Sequence, residues 1–183
     1  MKAKSILIIV AVLCSYLAKA QTPVKETETE NFHEAKINSL FLILGAFEVS
    51  YERTLNEESA FGIDVFLPFD DDIKDDINYY ISPYYRLYIS NNYASGFFIE
   101  GFGMLNSTKN LIIDTSDVIG TNLNEDNITD FALGVAIGGK WLTKSGFIGE
   151  LNLGIGRNLF NEENDRLDSE LVGKAGIKVG YRF

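Results

Sequence analysis

The stretch Ala175–Phe183, AGIKVGYRF, alternates apolar side chains with charged or very small ones without a break. Ile177, Val179 and Tyr181 fall on one parity, and lysine, arginine and glycine fall on the other. Successive side chains of a β-strand point to opposite faces, so this period of two predicts a strand with one apolar and one polar face. The i, i+3, i+4 spacing of an amphipathic helix does not occur here.

The same alternation recurs upstream and indicates eight strands in all. In DFALGVAIGGKWL (130–142) the odd positions other than Gly139 are large and apolar, whereas the even positions are mostly Ala, Gly and Lys. Most segments have the roughly 9–11 residues that a tilted strand needs to cross a bilayer. The run INSLFLIL alternates least and is predicted as the first strand. The segments are 37–44, 46–54, 61–67, 79–89, 96–105, 130–142, 146–156 and 171–183.

The connections between the predicted strands alternate in length. Those after the second, fourth and sixth strands are tight: NEES, NNYAS and TKSG. Those after the third, fifth and seventh are long and acidic, at about 68–78, 107–129 and 158–169. Outer-membrane barrels show this asymmetry of short periplasmic turns and long outer loops. The chain is therefore predicted to be all-β, an eight-stranded antiparallel up-and-down transmembrane β-barrel with both termini in the periplasm.

The polar face of the predicted strands carries charges of both signs among many glycines and alanines. A barrel of eight strands has room inside only for packed side chains, and an unpaired charge there is unfavourable. We therefore predict that the charges pair in the lumen while the apolar face meets lipid. A soluble lipocalin-like carrier of a small apolar ligand, with the apolar face inside, remains the alternative. The predicted lumen charge network is Glu48, Glu52, Asp64, Arg86, Glu100, Lys140, Glu150, Lys174, Lys178 and Arg182.

Aromatic residues on the apolar face gather at the short-turn end of the predicted strands. Girdles of aromatic side chains mark the membrane–water boundary in membrane barrels. The predicted periplasmic girdle consists of Tyr51, Phe61, Phe97, Trp141, Phe147, Tyr181 and Phe183.

The N-terminal region has the features of a secretory signal peptide. Two lysines precede an apolar run at 6–17, and Ala18-Lys19-Ala20 provides an A-x-A cleavage site. We predict a signal peptide at 1–20, cleaved after Ala20, a flexible periplasmic leader at 21–36 and the barrel at 37–183. The leader is polar and contains His33, the only histidine.

The overall charge excludes some functions. The chain has 26 acidic and 16 basic residues, and loss of the three lysines of the predicted signal peptide brings the net charge to about −13. Nucleic-acid binding requires clustered Lys and Arg, so no such partner is expected. The only cysteine, Cys14, lies in the predicted signal peptide, which leaves no disulfide in the exported chain.

The chain resembles the small eight-stranded outer-membrane β-barrel proteins of Gram-negative bacteria, of the OmpA and OmpX type. The resemblance rests on the predicted signal peptide, the regular succession of predicted strands and the final IKVGYRF. It looks closest to members of that class whose function is unassigned. The resemblance implies an outer-membrane location among lipid and lipopolysaccharide. It also implies that the barrel-assembly machinery reads the last strand, which ends at Phe183.

The resemblance also bears on catalysis. Known enzymatic barrels of this class depend on a histidine near the outer rim, whereas His33 falls at the opposite end. We therefore expect a non-enzymatic protein without a cofactor, with a structural or surface-interaction role. Two further alternatives are an outer-membrane hydrolase that uses a carboxylate pair and a subunit of a larger envelope complex with a protein partner.

The sequence contains one weak metal-site candidate, the acidic run DDDIKDD. Clustered carboxylates can bind Ca²⁺, although EF-hand spacing is absent and a solvated acidic loop is the favoured interpretation. The candidate ligands are Asp70, Asp71, Asp72, Asp75 and Asp76.

Overall fold

Eight antiparallel strands form a closed barrel in which each strand pairs with the next along the chain and the last pairs with the first. The structure, a computed structural model, describes residues 32–74, 77–90, 92–113, 123–160 and 171–183, with the backbone alone at 109–113 and 123–128. The predicted eight-stranded up-and-down fold is confirmed. The strands are β1 (His33–Asn38), β2 (Ala46–Thr54), β3 (Ser59–Pro68), β4 (Ile77–Tyr88), β5 (Gly96–Ile113), β6 (Leu123–Leu142), β7 (Phe147–Asn158) and β8 (Leu171–Arg182).

The two ends of the barrel differ in their connections. The β2–β3, β4–β5 and β6–β7 connections are short and lie at one end, the turn end. The other connections lie at the opposite end, the loop end, and include helices α1 (Ser39–Leu44) and α2 (Asp71–Lys74). Among the described residues, neither helix is long and apolar enough to cross a membrane.

The polarity of the barrel is inverted relative to a soluble protein. Leu133 and Leu153, on the outside, are 53% and 67% exposed, whereas Lys174 and Glu150, on the inside, are each 2% exposed. Because strand side chains alternate between faces, most of the charged strand residues and many of the small ones lie in the lumen, whereas Arg53 and Arg157 lie outside. The buried core of the protein is therefore largely polar or charged, and the outer face of its strands is largely apolar.

The first strand differs from the prediction. The run 37–44 is wrong as a strand, since β1 ends at Asn38 and α1 follows. The Asn38 side chain caps α1 by accepting a hydrogen bond from the Leu40 amide, and Gly45 ends it with a φ of +106°, a conformation that favours glycine. The run LFLIL has no polar side chains to place in the lumen. As a helix it packs Phe41 against the core ring of Phe66.

The predicted boundary between leader and barrel is also wrong. Residues 33–36, predicted to be flexible, belong to β1, which pairs with both β2 and β8 and closes the barrel. The backbone amides of His33 and Phe183 donate to each other's carbonyls at 2.9 and 2.8 Å. The predicted signal peptide and the leader up to residue 31 lie outside the described residues.

The predicted loop at 107–129 is largely a hairpin. β5 continues to Ile113 and β6 starts at Leu123, and these two residues are paired. Polar residues occupy both parities of NSTKN and NEDNITD, so no alternation of polarity marks this part of the strands.

Candidate functional site: the lumen and its rims

The lumen charge network centres on Arg86, which contacts three glutamates from three strands. Its Nε donates to Glu100 at 2.6 Å, its Nη1 to Glu52 at 2.9 Å and its Nη2 to Glu150 at 2.7 Å. All four side chains are fully buried. Charge-assisted hydrogen bonds of this length are the strong class, so Arg86 ties β2, β4, β5 and β7 together across the axis.

The other buried cations complete the network. Each of them contacts at least one buried carboxylate. In the described residues the network joins six carboxylates to six cations, so its charges balance. The remaining ion pairs are Lys36–Glu34 at 3.4 Å, Lys36–Glu52 at 2.7 Å, Lys36–Glu150 at 2.8 Å, Lys140–Glu34 at 2.9 Å, Lys140–Glu52 at 2.8 Å, Lys174–Asp64 at 2.8 Å, Lys174–Glu100 at 2.5 Å, Lys178–Glu48 and Lys178–Asp64, both at 2.9 Å, and Arg182–Glu34 at 2.6 Å.

The structure places all ten residues predicted for the lumen inside the barrel and brings them together in this network. It adds Glu34 and Lys36, which sequence reasoning assigned to the leader. The alternation of HEAKIN, with Glu34, Lys36 and Asn38 opposite Ala35 and Ile37, is the signal that could have found them.

Three tyrosines of β4, spaced along the strand, add hydrogen bonds to the carboxylates of the network. The hydroxyls of Tyr84 and Tyr88 donate to Glu52 at 3.0 and 2.7 Å, and Tyr80 donates to Glu48. Hydrogen bonds from neutral donors to ionised carboxylates add to the stability of a buried charge cluster. These three residues were not predicted for the lumen charge network, because their side chains carry no charge.

Glycines that face the lumen make room for aromatic rings of the neighbouring strand, which are directly opposed to them in the ladder. A Cβ on Gly138 would lie 2.4 Å from Phe98 Cζ, and one on Gly134 would lie 2.3 Å from Phe102 Cζ. Gly62 is matched in the same way with Tyr84, at 2.3 Å. The small residues are therefore the holes into which large side chains pack, and the lumen is filled as a narrow barrel requires.

The turn end of the lumen is closed by the β4–β5 connection. Ala94 and Ser95 are buried there, and the Arg182 guanidinium donates to the Ala94 carbonyl at 2.8 Å. Phe32 packs edge-on against Tyr93, with ring centroids 5.5 Å apart. Charged groups of the lumen are thereby covered at this end.

Toward the loop end the lumen becomes aromatic. Phe66 stacks on Tyr80 with centroids 4.7 Å apart, and Phe41 of α1 packs on Phe66 at 5.1 Å. Phe102 and Met104 belong to the same buried cluster. This apolar layer lies above the charge network.

The seven residues predicted for the girdle all point outward and are about half exposed. Phe147 and Tyr181 are paired across β7 and β8 with centroids 5.5 Å apart. His33 bonds through Nδ1 to the Tyr51 hydroxyl at 2.5 Å and stacks on Phe183.

Sequence reasoning missed a second outward aromatic group at the loop end, where Phe47 and Phe69 pack 4.9 Å apart and Phe160 is exposed.

The described part of the acidic run is not gathered around one point. Asp70 accepts a hydrogen bond from the Asp72 amide at 3.0 Å, and Asp71 pairs with Lys74 at 2.9 Å. Among the residues that the structure describes, no group of three or more His, Cys, Asp or Glu side chains is placed to hold a metal. Asp75 and Asp76 lie outside the described residues.

Comparison with solved structures identifies the fold. The N-terminal β-barrel domain of Pseudomonas aeruginosa OprF superposes with a TM-score of 0.56 at 12% identity, covering 85% of this chain and all of that one. The Yersinia pestis outer membrane protein Ail gives a TM-score of 0.40 at 15% identity over 84% of this chain and all of that one. The chain thus has the fold of the small eight-stranded outer-membrane barrels. No protein-family model and no curated protein matches the sequence.

Proposed function

We propose that the protein is an integral outer-membrane β-barrel, non-enzymatic and closed to solutes, with a structural or surface-interaction role. The observation that carries this proposal is the inverted polarity: an apolar exterior around an interior of balanced, buried charges. In water such an exterior would be a very large exposed apolar patch. In a bilayer it is matched to acyl chains, and a closed barrel leaves few backbone groups unpaired.

The aromatic residues support a particular depth in the membrane. The predicted girdle at the turn end and the Phe47–Phe69 pair at the loop end lie on either side of the aliphatic band. Such paired belts mark the two interfaces of a membrane barrel. In the proposed topology the turn end and both termini face the periplasm, after removal of a signal peptide ending at Ala20. The acidic loops then face outward beside lipopolysaccharide.

The closed lumen supports a role other than transport. Arg86 and its glutamates cross the axis, rings fill the space above them, and the β4–β5 connection covers the turn end. We propose that interaction with the exterior takes place through the loop end, with an envelope protein as one candidate partner. The same filled, charged interior disfavours the lipocalin-like carrier, which needs an apolar cavity.

The last strand supports assembly by the barrel-assembly machinery. β8 presents Ile177, Val179 and Tyr181 outward and pairs with β1 to close the barrel. Phe183 stacks on His33 at that closure. We expect Phe183→Ala to reduce the amount of assembled protein in the outer membrane, while the same variant refolded in detergent retains its barrel.

Fractionation and gel mobility test the proposal. The full chain, expressed in a Gram-negative host, should be recovered from the outer membrane only with detergent, and it should migrate faster unheated than boiled in SDS. Recovery from the periplasm in soluble form without detergent would instead support the soluble carrier. Co-purification in mild detergent would identify a partner.

Planar-bilayer recording tests the closed lumen. The refolded protein should show no large, stable channels at moderate salt. Frequent openings of nanosiemens size would overturn this part of the proposal while leaving the membrane assignment intact.

A further inference from the structure

Two buried oxygens at the loop-end rim lack hydrogen-bond partners and belong to neighbouring strands. Asn106 on β5 and Asp130 on β6 are directly opposed in the ladder, and each is 4% exposed. Asn106 Oδ1 and Asp130 Oδ2 have no hydrogen-bond partner. A buried polar atom without a partner is unfavourable, so a ligand that binds these two oxygens would stabilise the protein.

The remaining atoms of both side chains are fixed by neighbours. Asp130 Oδ1 accepts from the amides of Phe131 at 2.6 Å and Phe160 at 3.2 Å. Asn106 Nδ2 donates to Asn158 Oδ1 at 3.0 Å. Side-chain oxygens of three adjacent strands, β5, β6 and β7, therefore lie side by side at the mouth of the lumen.

Asp130 differs from the carboxylates of the charge network. Each of those six contacts a Lys or Arg, whereas no cationic side chain among the described residues forms an ion pair with Asp130. A buried carboxylate without a counter-charge is strongly disfavoured. A water molecule could donate to the two oxygens but would leave the negative charge uncompensated.

We propose that Asp130, Asn106 and Asn158 form a binding site for a hard divalent cation of the Ca²⁺ class at the loop-end rim. Carboxylate and amide oxygens are the ligands that Ca²⁺ prefers, with waters completing its coordination. A single carboxylate gives a weak site, of the order of the 10⁻⁴–10⁻³ M found in extracellular modules. The inference goes beyond the proposed function and concerns residues separate from the acidic run at Asp70–Asp72.

Calcium titration of matched variants tests the site. The refolded chain, stripped with chelator in zwitterionic detergent, is titrated with CaCl₂ by calorimetry as wild type, Asp130→Asn and Asp72→Asn. We expect Asp130→Asn to weaken one site at least about tenfold, equivalent to 1.4 kcal/mol. The Asp72→Asn control removes an exposed carboxylate at the same end and should titrate like the wild type. Equal Ca²⁺ binding by Asp130→Asn and wild type would overturn the proposal.

Thermal unfolding gives a second, independent result. Without Ca²⁺, Asp130→Asn should unfold at a higher temperature than the wild type, because the new amide can donate to Asn106 Oδ1 and the unpaired charge is gone. With millimolar Ca²⁺ the order should reverse, by about 2–4 °C for each kcal/mol involved. Asn106→Ala should also lose the Ca²⁺-dependent rise. A variant that is more stable than the wild type with and without Ca²⁺ would show that Asp130 holds no cation.

Discussion

The charge network of the lumen and the loop-end rim differ in whether their buried charged groups have partners. In the network, each of the six carboxylates contacts Arg86 or another buried cation. At the rim, Asn106 Oδ1 and Asp130 Oδ2 are buried without hydrogen-bond partners. The balanced half has the character of a structural core. The unbalanced rim is the part of the described interior that is suited to meeting an ion or solute from outside.

The largest effect is expected from removing the centre of the balanced half. Arg86→Met leaves Glu52, Glu100 and Glu150 buried without their shared cation, and we expect a loss of about 3–5 kcal/mol. Urea unfolding of the barrel in micelles measures it. Adding Glu150→Gln should restore part of the loss, because it removes one uncompensated charge. A fully additive double variant would mean that the two side chains act independently.

A charge introduced on the exterior should lower the stability of the barrel slightly less than Arg86→Met does. Leu153 lies about midway along β7 and is 67% exposed, so Leu153→Arg should destabilise the barrel in lipid vesicles by about 2–4 kcal/mol. Leu171→Arg, at the loop end of β8, is the control and should cost about 0–1 kcal/mol. Equal, small effects at both depths would contradict a lipid-facing exterior.

Filling one glycine hole should have an intermediate effect. A Cβ on Gly138 would lie 2.4 Å from Phe98 Cζ and 2.3 Å from the Leu151 carbonyl oxygen, so Gly138→Ala should cost about 1–3 kcal/mol. Gly149→Ala is the matched control, since nothing lies within 4 Å of its Cβ position. Denaturant midpoints of the two variants give the comparison, and equal midpoints would show that the ring can move aside.

The smallest change should come from a neutral side chain inside the lumen, Asn152, which lies midway along β7. Both amide atoms of Asn152 are buried without hydrogen-bond partners. Asn152→Leu, which keeps the branching at Cγ, should be neutral or stabilising by about 1 kcal/mol, because no hydrogen bond is lost. A marked loss of stability by the same unfolding measurement would mean that the amide binds ordered water that the barrel needs.

The alternation of residues was sufficient to predict the barrel, because a one-residue shift would place every charge on the lipid side. It also located the ten lumen charges, since Glu150 and Lys178 share a parity that repeats along each strand. It did not locate β1, because the alternation of HEAKIN covers only six residues before the chain enters α1 after Asn38. Nor could it match Gly138 with Phe98, because that fit depends on the register between β5 and β6, in which the two residues are directly opposed.

Depth-dependent fluorescence quenching decides whether the apolar face meets lipid. Trp141 is the only tryptophan, so Trp141→Phe provides a silent background for Leu153→Trp in vesicles. We expect lipids brominated deep in the acyl chain to quench Trp at 153 strongly and aqueous iodide to leave it unaffected. Strong quenching by iodide, with no effect of the brominated lipids, would place this face in water and contradict the membrane barrel.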